Sequence, residues 1–288
     1  MTTQRPTPPR VPARRGTRRM EADLRTLFGN QMRRDDAERV LKDDEAINEL
    51  ASSATLLLWD GKHVLENPFT DLGDVELALL HPVRRIGTHN KARSKFAYHA
   101  TQFDGLPHLV LAESLLEAAW LRQFDRRAQH WGYIGQPAVV RWQYGSKTLI
   151  HIPDVLGQDI DHHHWFADIR YSGGMDTFTG RVMDRLMRET CRQAGTDYEI
   201  FTDMKPERRA NLSVLAMRRW RNPVTAEAWW PDVDKSRPAT MMWLSEAAGG
   251  GPVGLSRAIR VVAQCHADIK LSEPISMRSR LTWRSSNA

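Results

Sequence analysis

The feature that most constrains the fold is the order of elements predicted between Glu113 and Asp203. The stretch opens with an amphipathic helix predicted over about residues 113–130 and continues through strand-like runs separated by turn residues. It closes with a second amphipathic helix and another strand. Glu117 lies in the first helical pattern, whereas Asp154 and Asp168 stand at the ends of strand-like runs. This order predicts an α/β layer with a mixed central sheet and helices on both faces.

Strand-like runs bring the acidic residues of this stretch towards one another. Residues 138–144 and 147–157 predict an antiparallel hairpin that turns at Gly145 and Ser146. A polar turn leads to a third strand, residues 165–171, which carries Asp168 and Arg170. Because those two residues are two positions apart, their side chains share one face of the strand.

Carboxylates in this arrangement suit a hard divalent cation. Mg²⁺ takes oxygen ligands and keeps several of its waters, so two or three carboxylates suffice to hold it. A cation held by Glu117, Asp154 and Asp168 would polarise a phosphodiester and lower the pKa of an attacking water. Arg170 would supply fixed positive charge, because a guanidinium stays protonated. The pattern predicts a metal-dependent nuclease that uses Mg²⁺, or Mn²⁺ in its place.

The positive charge of the chain is concentrated in its first twenty residues. The formal net charge is +6, and residues 1–20 contain six arginines, four prolines and no acidic residue. The rest of the chain therefore has equal numbers of basic and acidic residues. We expect residues 1–20 to be a disordered basic tail, and DNA binding has to be argued from local patches and not from net charge.

A stripe of arginines runs along the amphipathic helix predicted over residues 178–194. The stripe recurs at intervals of four, three and four residues, as expected for one helix face, and consists of Arg181, Arg185, Arg188 and Arg192. Two interpretations stay open: a solvated face, or a contact with the DNA backbone. Residues 85–101 are also basic and are predicted to form a loop, with the same two interpretations.

The chain divides into four predicted regions. After the basic tail comes a region of residues 21–100, in which residues 21–50 have a charged helical pattern and a strand–turn–strand follows, with its turn at Asp60 and Gly61. The predicted catalytic core spans residues 101–222. Residues 223–288 form a small, mostly helical module that ends in a hairpin-like segment, and a winged-helix module would fit this pattern.

Several classes of protein and site are disfavoured. No run approaches 18 consecutive apolar residues, and no apolar segment follows the arginine-rich N-terminus, so we expect neither a membrane span nor a secretory signal. Cys191 and Cys265 lack metal-ligand spacing, which favours idle thiols in a reducing cytoplasm. The run His162, His163 and His164 has no partner cluster with zinc spacing.

The acidic and basic residues together resemble a known nuclease pattern. Pro153-Asp154 followed by Asp168-Ile-Arg170, after an acidic helix, resembles the core of the PD-(D/E)XK nucleases. More narrowly, the chain is similar to the TnsA endonuclease subunit of heteromeric transposases. The matching segments are Ser114-Leu-Leu-Glu117, the two motifs just named, Tyr198 to Asp203, and Ala210-Asn-Leu with the arginine-rich helix that follows.

This resemblance carries its own set of expectations. It implies a restriction-endonuclease-like core and a Mg²⁺-dependent endonuclease that cuts the 5′ end of a transposon in double-stranded DNA. The partners implied are a DDE-type transposase and an ATPase regulator. The family contacts the regulator through a C-terminal winged-helix domain. Carried over to this sequence, Glu117, Asp154 and Asp168 would hold the metal and Arg170 would be the basic catalytic group. The family more often has lysine at the position of Arg170.

Two further interpretations share the same scaffold. The chain is alternatively a stand-alone nuclease in defence or repair, or a scaffold that binds DNA or a partner without cutting. The replaced lysine and the electrically neutral body keep the last of these interpretations open. Each interpretation places the protein in the cytoplasm, at the nucleoid when it acts.

Overall fold

The computed structural model describes residues 27–40, 42–83, 96–101, 107–126, 130–175, 177–219 and 223–284. The basic tail predicted for residues 1–20 lies outside these ranges, as does most of the predicted basic loop. The chain divides into two compact units: residues 1–91 with 132–201, and residues 92–131 with 202–288. The predicted core, residues 101–222, is therefore distributed over both units.

The architecture is α/β, with antiparallel and mixed sheets and flanking helices. The described helices are α1 (Arg34–Val40), α2 (Asp44–Ser52), α3 (Leu115–Phe124), α4 (Ser172–Met175), α5 (Phe178–Gln193), α6 (Pro206–Arg219), α7 (Met241–Ala247) and α8 (Gly251–Ala263). The described strands are β1 (Thr55–Trp59), β2 (Val64–Pro68), β3 (Phe96–Thr101), β4 (Pro107–Ala112), β5 (His130–Gly135), β6 (Ala138–Tyr144), β7 (Lys147–His151), β8 (Val155–Asp159), β9 (His164–Ile169), β10 (Asp197–Phe201), β11 (Ala239–Thr240), β12 (Ala267–Ile269) and β13 (Arg280–Trp283). No helix in the described ranges is both long and apolar enough to cross a membrane.

One sheet of the first unit is antiparallel, in the order β2-β1-β6-β7. The two hairpin turns predicted from sequence are confirmed, at Asp60-Gly61 and at Gly145, and the second strand of the latter hairpin ends at His151. The carboxylate of Asp60 accepts from the backbone N–H groups of Lys62 and His63, at 2.7 and 2.6 Å, and Gly61 and Gly145 have positive φ angles. Glycine adopts such angles without steric cost, which fixes the register of both hairpins.

The other sheet of the first unit is mixed, in the order β10-β9-β8-β5. Strand β9 pairs antiparallel with β8 and parallel with β10. The prediction of one central sheet is therefore wrong, because the run 147–157 is two strands in two sheets. Pro153 separates β7 from β8, and proline has no N–H to continue a strand ladder.

Helices α2 and α5 pack together in the first unit. The hydroxyl of Ser52 donates to Oε1 of Gln193 at 3.0 Å, and the indole N–H of Trp142 on β6 donates to the hydroxyl of Thr190 on α5 at 2.9 Å. Helix α5 is the predicted amphipathic helix, and Gly195 ends it with a φ of +65°. Cys191 is buried in this helix, and its burial raises the pKa of its thiol.

Three local predictions are corrected. The helical prediction over residues 21–50 fails where the chain is extended, since Gly29 adopts a φ of +65° and Gln31 forms a bridge with Thr148. Residues 96–101 of the predicted loop form β3, paired with β4. The helix predicted over residues 113–130 ends at Phe124, and strand β5 begins at His130.

The second unit contains α3, α6, α7, α8 and a small sheet in the order β11-β13-β12. Its hairpin, β12 with β13, is the hairpin-like segment expected from sequence. Buried side chains from α6, α7, α8, the small sheet and the segment before β11 form one apolar cluster, which includes Leu215, Trp230, Leu244, Val261 and Leu281.

Helices α7 and α8 cross at a position where only glycine fits. A Cβ atom on Gly254 would lie 2.1 Å from the carbonyl oxygen of Ser245. Because that oxygen belongs to the backbone of a packed helix, it cannot rotate away as a flexible side chain would. The close approach of α7 and α8 therefore depends on Gly254.

We expect Gly254→Ala to destabilise the protein by about 1–3 kcal/mol, because overpacking forces the two helices apart. The matched control is Gly173→Ala in α4, where an added Cβ meets no atom within 4 Å. Urea denaturation followed by circular dichroism measures both variants. The same midpoint for the two variants would contradict this account of the helix crossing.

Candidate functional site

Asp154 and Asp168 face each other at the end of the hairpin formed by β8 and β9. Val155 pairs with Ala167, so the next pair in this antiparallel register is Asp154 with Asp168. The backbone N–H of Ile169 donates to Oδ2 of Asp154 at 2.7 Å, and the N–H of Asp154 donates to Oδ1 of Asp168 at 3.3 Å. The two carboxylates predicted from sequence are therefore brought together by strand register.

Asp168 is the most heavily bonded side chain of this region. It is 1% exposed, and its carboxylate accepts from three side chains in addition to the N–H of Asp154. The donors are Nε2 of His151 at 2.8 Å, Nη2 of Arg170 at 2.9 Å and the hydroxyl of Tyr198 at 2.8 Å, all to Oδ2. His151 Nε2 also lies 3.0 Å from Oδ1. Such a buried charge is tolerated only because it is paired and hydrogen-bonded.

The electrostatic environment holds Asp168 in its ionised form. Burial by itself would raise the pKa of this carboxyl, but His151, Arg170 and Tyr198 outweigh it, and the net effect lowers the pKa. Burial raises the pKa of the Tyr198 hydroxyl, and the Asp168 carboxylate raises it further. Tyr198 therefore remains a neutral donor next to a carboxylate that keeps its charge.

Arg170 lies beside Asp168, as its position two residues later predicts. Its side chain is partly buried, and its backbone N–H donates to the carbonyl of Phe201 at 2.9 Å, which extends the parallel pairing of β9 with β10. The guanidinium is thereby fixed at the end of the strand that carries Asp168. A fixed cation at this position is suited to binding an anionic oxygen such as that of a phosphate.

His151 and Tyr198 also belong to the site, although neither was predicted as a site residue from the sequence. His151 is the last residue of β7, three residues before Asp154, and Tyr198 lies on β10. Both reach Asp168 through tertiary contacts, which sequence spacing does not reveal. A signal was nevertheless present, because His151 and Asp154 stand on either side of Ile152-Pro153, where the chain passes from one sheet to the other.

Glu117 belongs to the second unit and lies in the first turn of α3. Its backbone N–H donates to the hydroxyl of Ser114 at 3.0 Å, and its Oε2 accepts from the N–H of Glu113 at 2.8 Å. Ser114 is thus the N-cap, and Glu117 stabilises the start of the helix much as in a capping box. Glu117 is 4% exposed, so this carboxylate has a structural role whether or not it binds a metal.

The predicted arginine stripe on α5 is exposed, and most of it is ion-paired. Arg185 pairs with Asp44, and Nε of Arg188 lies 2.6 Å from Asp184. Arg192 makes two contacts with Glu189, at 2.8 and 2.5 Å, and these hydrogen bonds lower the pKa of Glu189 to about 2. The stripe therefore carries much less net positive charge than the four arginines suggest, and its contact with DNA stays a prediction.

The histidine run occupies the turn between β8 and β9. His162 adopts a φ of +63°, His163 lies 3.1 Å from Asp197, and Nε2 of His164 lies 3.2 Å from the side-chain amide nitrogen of Gln158. Burial lowers the pKa of His164. These three side chains therefore have different partners around the turn.

Asp154 and Asp168 match Mg²⁺ in donor chemistry, because both supply hard carboxylate oxygens. Asp154 is only partly buried. In contrast, the oxygens of Asp168 already accept from four groups, so a metal at Asp168 would have to replace one of these donors. Among the described residues of the first unit, no three His, Cys, Asp or Glu side chains form one metal-binding group.

Comparison with known proteins gives no family assignment. No protein-family model matches the chain, and no curated protein matches it. The function of the chain is therefore inferred from the geometry of the Asp154 and Asp168 region.

We expect Tyr198→Phe to lower the free energy of unfolding by about 1.5–3 kcal/mol, because it removes a hydrogen bond to a buried carboxylate. The matched control is Tyr171→Phe, since Tyr171 is 57% exposed. Urea denaturation of both variants measures the difference. Equal stability of the two variants would mean that the Tyr198 hydroxyl adds nothing to the site.

The lowered pKa of Asp168 predicts a dependence of stability on pH. The native pKa lies below the unfolded value of about 3.9, so this contribution to stability is fully present above that value. It is lost as the pH falls through the native pKa. Asp168→Asn should therefore lose less stability than the wild type between about pH 6 and pH 3. Parallel acid-induced losses in the two proteins would contradict this prediction.

Proposed function

We propose that the protein is a metal-dependent DNA endonuclease subunit similar to TnsA. It would hydrolyse phosphodiester bonds at the 5′ ends of a transposon in the cytoplasm, together with a DDE-type transposase and an ATPase regulator. The observation that carries the proposal is the contact of Asp154, Asp168 and Arg170 at the end of the β8–β9 hairpin. These residues have the order and spacing of the nuclease motif that the sequence resembles.

Element order adds support in each unit. In the first, the mixed sheet with α5 between β9 and β10 is compatible with a restriction-endonuclease-like core. In the second, α6, β11, α7, α8, β12 and β13 follow one another, and the sheet order is β11-β13-β12. That arrangement is typical of a winged-helix module, which is the C-terminal domain that the resemblance implies.

Each residue of the site would have a separate role in phosphodiester hydrolysis. Asp154 and Asp168 would hold Mg²⁺, which when bound lowers the pKa of a water and polarises the phosphate. Arg170 would bind a non-bridging phosphate oxygen and offset the negative charge that develops there. His151 and Tyr198 act through Asp168, because both hold its carboxylate in place.

Metal binding is the most direct test, because it needs neither the transposon end nor a partner. Calorimetry with Mg²⁺ and Mn²⁺ should give binding by the wild type that Asp154→Ala/Asp168→Ala abolishes. The matched control is Asp74→Ala/Asp161→Ala, which removes two exposed carboxylates from the first unit. Asp154→Ala alone should also abolish metal-dependent DNA cleavage while the fold is retained.

Two outcomes would contradict the proposal. Cleavage retained by Asp154→Ala would exclude this site as the catalytic centre. Absence of metal binding by the wild type, both alone and with duplex DNA present, would exclude a metal-dependent reaction at these carboxylates. The measurement with duplex DNA is needed because DNA phosphates complete many Mg²⁺ sites.

One observation favours a second function, a scaffold that binds DNA or a partner without cutting. The carboxylate of Asp168 accepts from His151, Arg170, Tyr198 and the N–H of Asp154, which satisfies it without a metal. In that case DNA would bind with the same affinity in the presence and absence of Mg²⁺. Tighter DNA binding on addition of Mg²⁺, lost in Asp154→Ala/Asp168→Ala, would favour the endonuclease.

A further inference from the structure

The basic residues of helix α8 are occupied within the second unit. Nε of Arg257 lies 2.7 Å from Glu227, and Nη1 of Arg257 donates to the carbonyl of Ala248 at 2.9 Å. Arg260 pairs with the other carboxylate oxygen of Glu227. The exposed first turn of α8, Gly251 to Val253, carries no charged side chain. Helix α8 therefore offers little positive charge to an anionic partner.

The loop that joins β12 to β13 differs from helix α8, because it carries exposed arginines that form no ion pair within the described residues. We define the hairpin loop as residues 270–280. The side chain of Asn211 on α6 is buried and holds the first half of this loop: Nδ2 donates to the carbonyls of Leu271 and Glu273, at 2.9 and 2.7 Å. Its Oδ1 accepts from the N–H of Ile275 at 3.4 Å.

The second half of the hairpin loop is held by the start of helix α7. The N–H of Met241 donates to the carbonyl of Ser279 at 2.9 Å, and the N–H of Met242 donates to that of Met277 at 2.8 Å. Ser276 and Ser279 are also bonded to each other, through Ser276 N–H to Ser279 Oγ at 2.9 Å and Ser279 N–H to the Ser276 carbonyl at 3.0 Å. The loop conformation is thus fixed before any partner binds.

Two arginines project from this fixed loop without an acidic partner. Arg278 and Arg280 are both exposed, and neither forms an ion pair within the part of the chain that the structure describes. Three other exposed cations of the second unit are engaged: Lys270 pairs with Glu273, Arg237 pairs with Asp234, and Nζ of Lys235 lies 4.3 Å from the centre of the Trp230 ring. Arg278 and Arg280 are therefore positive charges that the fold holds in position and does not neutralise.

We propose that the hairpin loop is the duplex-DNA contact of the second unit, with Arg278 and Arg280 binding backbone phosphates. The inference rests on the proposed function insofar as that function requires DNA. Charge complementarity selects the partner: a guanidinium binds phosphate oxygens through two parallel hydrogen bonds. Because the loop is already ordered, DNA binding would reduce its backbone conformational entropy only slightly.

Fluorescence anisotropy with a short labelled DNA duplex of mixed sequence tests the proposal over a range of salt concentrations. Arg278→Ala/Arg280→Ala should bind the duplex at least about tenfold more weakly than the wild type at low salt. The slope of log affinity against log salt should fall by about 2, because each phosphate contact contributes about 0.9. The matched control, Arg39→Ala/Arg237→Ala, removes the same net charge from exposed, ion-paired positions outside the loop and should bind like the wild type. Thermal melting confirms that both variants are folded.

The remaining outcomes overturn the proposal. Equal weakening by both double variants would show that only overall charge matters, and no weakening by Arg278→Ala/Arg280→Ala would remove the loop from the interface. Failure of the wild type to bind the duplex, or tighter binding to single-stranded RNA, would exclude duplex DNA as the partner. The proposed endonuclease is tested separately by metal binding at Asp154 and Asp168, so the two ideas can fail independently.

Discussion

The first unit depends on the burial of one ionised carboxylate. Asp168 is almost inaccessible to solvent, and removal of a charge from water costs several kcal/mol unless donors replace the lost hydration. Its donors come from four segments: His151 at the end of β7, Asp154 before β8, Arg170 after β9 and Tyr198 on β10. Since β7 belongs to the antiparallel sheet and the other three segments to the mixed sheet, this carboxylate connects the two sheets.

The hydrogen bonds that Asp168 requires when buried also limit its ability to bind a metal. A metal ligand must offer lone pairs, whereas a structural carboxylate must have its lone pairs filled. In this arrangement the donors of Asp168 fill its lone pairs, so Asp168 would bind a metal only after one donor is replaced. Asp154, which is only partly buried, is better placed to bind a metal directly. The presence of arginine at position 170 fits this division, because its planar guanidinium can hold Asp168 with one edge and still present other N–H groups to a phosphate.

Local patterns predicted much of the fold, and tertiary contacts determined the rest. The hairpin turns at Asp60-Gly61 and Gly145 and the end of α5 at Gly195 could be predicted, because each depends on a glycine in a known backbone conformation. Strand β8 could not be predicted as a separate strand, because Val155–Asp159 continues an apolar run in which only Pro153 marks the change from one sheet to the other. His151 and Tyr198 were missed as site residues because they meet Asp168 only through the pairing of distant strands.

The number of arginines on a helix overestimates the positive charge of its surface, because neighbouring acidic residues form ion pairs with them. On α5, Asp184 and Glu189 lie four and three residues from Arg188 and Arg192, so the helix neutralises its own basic face. Glu227 does the same for the two arginines of α8. Long-range attraction of an anionic polymer depends on the charges that remain after such pairing. A few unpaired cations on an ordered loop can therefore contribute more to DNA affinity than a longer stripe whose charges are cancelled by neighbouring acids.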